Sequence, residues 1–257
     1  MNFQRLWLKL KQALSLKNRI GIIALSVTIC LLLLRSVGIM QPLEWAALDQ
    51  FFRLLPTEAR DDRIVIVAID EPSLKQVGQW PLPDTVIIQL LQKLQTYQPR
   101  AIGLDIYRDL PVPPGNQELL AAYTSIPNLI GIEQLQDRSS SGVLPPPSLS
   151  QLNRVGFNNV VQDADGKIRR GMLYWAAPEK IHESFDLKLA LMYLQAEGIT
   201  PQSAKENSQY LQLGKSVFRR FEPNDGGYVR ADAGGYQILS NFRRPSTSFR
   251  WVSMKDI

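Results

Sequence analysis

Asp70 and Asp105 each stand in or just after a short apolar run, Ile64-Val65-Ile66-Val67-Ala68-Ile69 and Ala101-Ile102-Gly103-Leu104-Asp105-Ile106. If both runs are strands of an open parallel sheet, the two carboxylates lie at its carboxyl edge, where such sheets bind ligands. A pair of acids facing one crevice suits Mg²⁺ or a cationic or hydroxylated ligand. The competing account is local. Asp70 caps a helix beginning at Pro72, and Asp105 accepts hydrogen bonds from loop amides. Both accounts stay open at this level. Phosphoryl transfer through an aspartyl nucleophile does not, because the second acid required two residues further on is replaced by Pro72.

Other chemistry-bearing residues are sparse. Asp163-Ala164-Asp165-Gly166 resembles the start of a calcium loop, but the third oxygen ligand and the later Glu are missing, Met172 standing six residues after Gly166. A hairpin turn is the better reading. Cys30 and His182 are the single cysteine and the single histidine, which excludes a disulfide framework, cysteine zinc clusters and multi-histidine metal sites. His182, beside Glu183, reads as a surface or capping residue. Gly-x-Ser-x-Gly and phosphate-cradling glycine loops are absent. Trp80, in the turn Gly78-Gln79-Trp80-Pro81, is either a pocket wall or an anchored loop aromatic. Arg169-Arg170 and Arg243-Arg244 are anion contacts or solvated strand ends. The residues alone hold no catalytic constellation and imply no cofactor.

These residues need positioning elements. The run Ile64–Ile69 predicts a strand covered on both faces, and Asp70-Glu71-Pro72-Ser73 predicts a helix start. Val86–Tyr97 predicts a helix with Val86, Leu90, Leu91 and Leu94 on one face, ended by Pro99. A strand over Ala101–Ile106, a helix near Gln117–Tyr123 and a strand over Asn128–Glu133 complete a strand–helix alternation. Arg138–Pro147 reads as an exposed loop. Val155–Val161 and Ile168–Trp175 then predict a hairpin with Asp-Gly at its turn. An amphipathic helix over Phe185–Ala196 follows, and then short strands over Tyr210–Leu213, Val217–Phe221 and Gln237–Phe242. The fold class expected is α/β, a mainly parallel sheet of βαβ units with a β-hairpin extension, preceded by one N-terminal transmembrane helix.

That helix is expected over 20–40. Ile20–Leu34 carries no charge, and Val37-Gly38-Ile39-Met40 extend the run beyond Arg35, whose guanidinium can reach back toward headgroups. A cleaved signal peptide is the alternative, but no small-x-small cleavage site follows. The chain has 257 residues with 29 Lys and Arg against 24 Asp and Glu. Six of those basic residues and no acid lie between Met1 and Met40, leaving 23 basic and 24 acidic residues in the remainder. The positive charge therefore belongs to the N-terminal segment and speaks against nucleic acid as a partner. Five basic residues precede the span, whereas Gln41–Asp62 is acidic on balance, so the N-terminus is expected in the cytoplasm and the bulk outside. Residues 1–19 read either as a basic amphipathic helix on the inner membrane face, through Phe3, Leu6, Trp7, Leu10 and Leu14, or as a solvated start to the anchor.

Several segments, taken in order, resemble the CHASE domain of the second type (CHASE-2), an extracellular sensory domain associated with cyclases and histidine kinases. They are Asp49-Gln50-Phe51-Phe52-Arg53, Val67-Ala68-Ile69-Asp70-Glu71-Pro72-Ser73-Leu74 and Gly78-Gln79-Trp80-Pro81, then Ala101-Ile102-Gly103-Leu104-Asp105-Ile106-Tyr107-Arg108-Asp109. Gly156-Phe157-Asn158-Asn159 and Asp163-Ala164-Asp165-Gly166-Lys167-Ile168-Arg169-Arg170 continue the series. The stretch Asp105–Gly115 is most similar to cyanobacterial members. Asp84 departs from the family, which often has Arg there.

The resemblance implies a periplasmic input module, residues 43–257, anchored in the cell inner membrane. It also implies C-terminal incompleteness, since family members continue into a last strand, further spans and a cytoplasmic cyclase or kinase. The function expected is a non-catalytic sensor that passes an unknown small-molecule or physical stimulus to such an output. Its expected partners are the lipid membrane, the output domain and a second copy of the chain as a homodimer. Ligand-binding candidates are Asp70, Glu71, Ser73, Trp80, Asp105 and Arg108. The alternative is an extracytoplasmic metal- or small-ligand-binding protein or enzyme using Asp70 and Asp105, and a scaffold for membrane complexes is a third class.

Overall fold

The computed structural model describes residues 17–137, 140–178, 180–243 and 249–257. The amphipathic segment Phe3–Leu14, Arg138 and Arg244 fall outside them. The chain divides into two units, one running through Leu55 and taking in Glu222–Asp232, the other comprising Pro56–Phe221 and Ala233–Ile257.

The first unit holds two helices, α1 (Lys17–Ser36) and α2 (Gln41–Leu54). The uncharged run does not continue as one helix to Met40. Gly38 adopts a φ of +86° in the turn after Ser36, and Pro42 starts a new helix. No single helix among the described residues is long and apolar enough to cross a membrane. Ile20–Ser36 and Gln41–Leu54, bent by 86°, meet that length and composition only as a pair. Between Ile20 and Leu33 the side chains of α1 stay uncovered, Ile20 being 65% and Leu33 61% exposed. Arg35 bonds Glu44 at 2.8 Å and the carbonyl of Gly226 at 3.0 Å. Trp45 is buried against the ring of Tyr228, centroids 5.2 Å apart, and the backbone N–H of Val229 donates to Gln41 Oε1 at 2.7 Å. Glu222–Asp232 is thereby pinned to α2.

The second unit is mixed α/β with parallel sheets. β1 (Asp61–Ala68) leads into α3 (Glu71–Val77) and α4 (Asp84–Thr96). β2 (Ile102–Gly103), α5 (Asn116–Ser125), β3 (Leu129–Glu133), α6 (Pro147–Gln151) and β4 (Val155–Phe157) follow. β2, β3 and β4 form one parallel sheet in that order. β1 is not in it. Its parallel partner is a strand near the chain end, Phe249–Ser253. Being one of only two strands, β1 is also not covered on both faces, and Ile64 and Val65 are each about half exposed. The long strand expected over Ala101–Ile106 contracts to Ile102–Gly103.

One core lies where α4 and α5 meet the three-stranded sheet, with Ile87, Leu91, Leu119, Tyr123, Leu129 and Val155 buried together. Because strand side chains alternate, Gly103 and Gly156 present the opposite face. A Cβ on Gly103 would meet Phe185 and Leu189, and one on Gly156 would meet the Phe185 backbone at 2.5 Å. The helix α7 (Phe185–Gln195), which carries Phe185 and Leu189, therefore covers that face through glycine-sized gaps. Ser184 caps it, accepting from Leu187 N at 3.3 Å.

The expected hairpin is present but shorter. Val155–Phe157 joins the parallel sheet, and only β5 (Val161–Gln162) pairs antiparallel with β6 (Ile168–Ala176). β6 also pairs with β7 (Ile181–Glu183) on one part of its length and with Tyr236–Leu239 on another. Pro201–Ser203, Leu211–Leu213 and Ser216–Phe218 form a separate antiparallel sheet. The parallel pairings are thus divided between two small sheets, with antiparallel sheets beside them.

Candidate functional site

Asp70 is the N-cap of α3. Its carboxylate accepts from the backbone N–H of Ser73 at 3.0 Å and from the Ser73 hydroxyl at 2.6 Å. The Ser253 hydroxyl, from the partner strand of β1, donates to the same oxygen at 2.9 Å. The Ser73 hydroxyl, fully buried, in turn accepts from Lys255 N at 3.2 Å. Hydrogen bonds from Ser73 and then Ser253 hold the Asp70 carboxyl below its usual pKa, against an opposing desolvation. Of the two accounts of this aspartate, the helix cap is the one its contacts match. Glu71, next to it, is exposed.

Asp105 is exposed and accepts from Asn158 Nδ2 at 3.4 Å, while Tyr107 donates its hydroxyl to Asn158 Oδ1 at 2.7 Å. Asp70 and Asp105 follow strands of different sheets and share no hydrogen-bond partner among those described. No group of three or more His, Cys, Asp or Glu among the described residues is arranged to hold a metal ion. Trp80 is 63% exposed, in a turn whose bond to Pro81 is cis.

Arg108 lies apart from these residues. It is buried and donates Nη2 to the carbonyl of Leu82, with Nη1 3.7 Å from Asp84 Oδ1. Asp84 is the first residue of α4 and is completely buried. Its Oδ2 accepts from Val112 N at 3.2 Å and Asn116 Nδ2 at 3.4 Å. Asp84 Oδ1, Arg108 Nε and the Tyr123 hydroxyl are buried with no hydrogen-bond partner. Burial pushes the Tyr123 pKa far up, so its hydroxyl stays protonated. All three residues line a cavity of about 60 Å³ with Asn116, Leu119 and Pro146 among its other walls. Buried polar groups without partners are rare and costly, and these three lie close together in the core beside that cavity. Arg108 was a sequence candidate. Asp84, Asn116 and Tyr123 were not; the available signal was an acid at the first turn of a helix after Pro83, which reads equally as a dipole partner.

The arginines of the hairpin are not solvated strand ends. Arg169 and Arg170 are buried on β6, and both bond the buried Asp163 carboxylate, Arg169 Nη1 at 2.9 Å and Arg170 Nη2 at 2.8 Å. Arg169 also reaches Asp165 at 2.6 Å, and Arg170 donates to Gln237 Oε1 at 2.8 Å. The Asp-x-Asp-Gly motif therefore supplies counter-charges for protein arginines, around a turn in which Gly166 takes a φ of +80°. His182, expected as a surface or capping residue, is partly buried on β7 with Nδ1 2.9 Å from Glu133 Oε1.

The family model of the CHASE2 domain matches residues 26–257, and the chain belongs to that family. CHASE2 domains are extracellular sensory domains of signalling proteins, sensory rather than catalytic. Comparison with curated proteins and with solved structures gave no match.

Proposed function

We propose that this chain is the membrane-anchored, extracytoplasmic input module of a signalling protein, held in the inner membrane with its N-terminus in the cytoplasm. The observation that carries the reading is the uncovered apolar surface of α1. An exposed helix apolar all round needs a partner of low polarity, and the bilayer is one. Its hydroxyls fit such surroundings, Ser26 donating to the Ile22 carbonyl, Thr28 to the Ala24 carbonyl and Ser36 to the Leu33 carbonyl, each at 2.8 Å. The basic flank before it and the acidic one after it support the orientation. We infer a cytoplasmic cyclase or kinase as the output, biased through two conformations of unequal affinity for the stimulus, and a homodimer as the signalling form. Metal or acid–base chemistry at Asp70 and Asp105 finds no support in their contacts.

A reporter enzyme active only outside the cytoplasm, fused after Ile257, tests this reading. Activity in intact cells is expected, together with cleavage of the folded region by protease added to spheroplasts. A reporter that stays inactive there, while a reporter active only in the cytoplasm is active at the same fusion point, refutes the orientation.

A further inference from the structure

We propose that α2 lies along the outer surface of the bilayer, with the stripe Leu43, Ala47, Phe51 and Leu54 sunk among the acyl chains just below the lipid headgroups. The inference rests on the anchoring read above and adds a second membrane contact, made by a helix that does not cross. Three observations carry it. The first is the arrangement of α2 itself. Leu43, Ala46, Ala47, Gln50, Phe51 and Leu54 recur at helical spacing and are all exposed, Leu43 at 68%, Phe51 at 66% and Leu54 at 78%. Trp45, buried against Tyr228, and the partly covered Leu48 and Phe52 occupy the opposite side. An apolar stripe on the uncovered side of a helix whose other side is packed is the reverse of what water selects.

The second observation is direction. α1 and α2 are bent by 86° about a turn in which Gly38 takes a φ of +86°, and Arg35 Nε bonds Glu44 Oε1 across it at 2.8 Å. A helix at right angles to one that crosses the bilayer runs parallel to the membrane plane. The third is length. Ile20–Leu34, the uncharged part of α1, rises about 22 Å, short of the roughly 30 Å of hydrocarbon. The shortfall of about 8 Å matches the depth, about 5–10 Å, to which an interfacial helix buries its apolar side. Sinking α2 brings the far end of α1 below the headgroups, where Arg35 is tolerated because Glu44 compensates its charge. A second copy of the chain would cover the stripe but leave that length unmet.

Fluorescence of the full chain in phosphatidylcholine nanodiscs tests the assignment. A nitrobenzoxadiazole label on the native Cys30, which is exposed on α1, reports the anchor. The same label on Phe51→Cys, in a Cys30→Ser background that leaves no other thiol, reports α2. Leu43→Cys in that background gives an independent reading at the other end of the stripe. At positions 43 and 51 the label is expected to emit as in an apolar medium. A nitroxide near the carbonyl end of the acyl chain should quench it about 2-fold more than one at the tail, as interfacial depth requires. Cys30 lies about 15 Å along α1 from Ile20, at the bilayer midplane, so there the order should reverse. Water-like, unquenched emission at 43 and 51 with Cys30 quenched overturns the proposal and leaves the anchor standing. Apolar emission that no lipid nitroxide quenches also overturns it, being the mark of cover by a second copy or another protein. So does stronger quenching from the tail, which places α2 inside the span. An unquenched Cys30 refutes the anchor, and the placement of α2 with it.

Discussion

Ser253 donates its hydroxyl to the Asp70 carboxylate at 2.9 Å across 183 residues of sequence. The bond joins a helix cap to the strand that completes the sheet of β1, so the start of the α/β unit and the end of the chain are tied at one carboxylate. Ser73, fully buried between them, links both through its own hydroxyl, 3.1 Å from that of Ser253.

Ser73→Ala is expected to cost about 1–3 kcal/mol, because it strips a donor from Asp70 and an acceptor from Lys255 N inside a buried site. Ser253→Ala should cost less, since Asp70 keeps both bonds from Ser73. Urea unfolding checks the pair: the midpoint falls in the order wild type, Ser253→Ala, Ser73→Ala at constant slope.

Acid should weaken the second unit through the same carboxylate. Asp70 is held below the usual carboxylate range by Ser73 and Ser253, and Asp165 is lowered by its bond from Arg169. A carboxylate with a depressed folded pKa contributes stability above its unfolded value, near pH 4, and that contribution is lost as pH falls through the folded pKa. Melting temperatures should therefore decline below about pH 4. Asp70→Asn, measured over the same range, should show a shallower decline than wild type.

Asp163→Asn is expected to destabilise strongly, by about 3–5 kcal/mol, since two buried guanidiniums lose a shared counter-charge. Asp165→Asn removes a more exposed carboxylate from the same turn and should be far milder. Equal losses in the two variants, read by chemical denaturation, would contradict the assignment of Asp163 as the buried hub.

Gly156→Ala should impair folding although it adds a single methyl group. Its Cβ would lie 2.6 Å from Phe185 N and 2.9 Å from Ser184 C, and these are backbone atoms held by the cap of α7. The cost expected is about 1–3 kcal/mol or more. Gly103→Ala meets only the ends of the Leu189 and Phe185 side chains and should be tolerated better, as thermal melts of the two variants will show.

What the amino-acid sequence determined by itself was local. The cap at Asp70 was legible as one of two accounts because an N-cap and the amide it accepts from lie three residues apart, the helix start at Glu71 follows from an acid before Pro72, and helices over Val86–Tyr97 and Phe185–Ala196, observed as Asp84–Thr96 and Phe185–Gln195, follow from apolar spacing with Pro or Gly past their ends. The Asp-Gly turn was readable for the same reason. Tertiary structure decided everything set by pairing between distant segments: that β1 takes its partner from Phe249–Ser253 instead of β2, that Val155–Phe157 leaves the hairpin for the parallel sheet, and that Arg169 and Arg170 turn inward to Asp163. Asp84 facing Arg108 belongs there too. A strand's apolar pattern states that it is buried without stating beside which neighbour, and an acid at a helix start satisfies the helix dipole whether or not a guanidinium waits across the core.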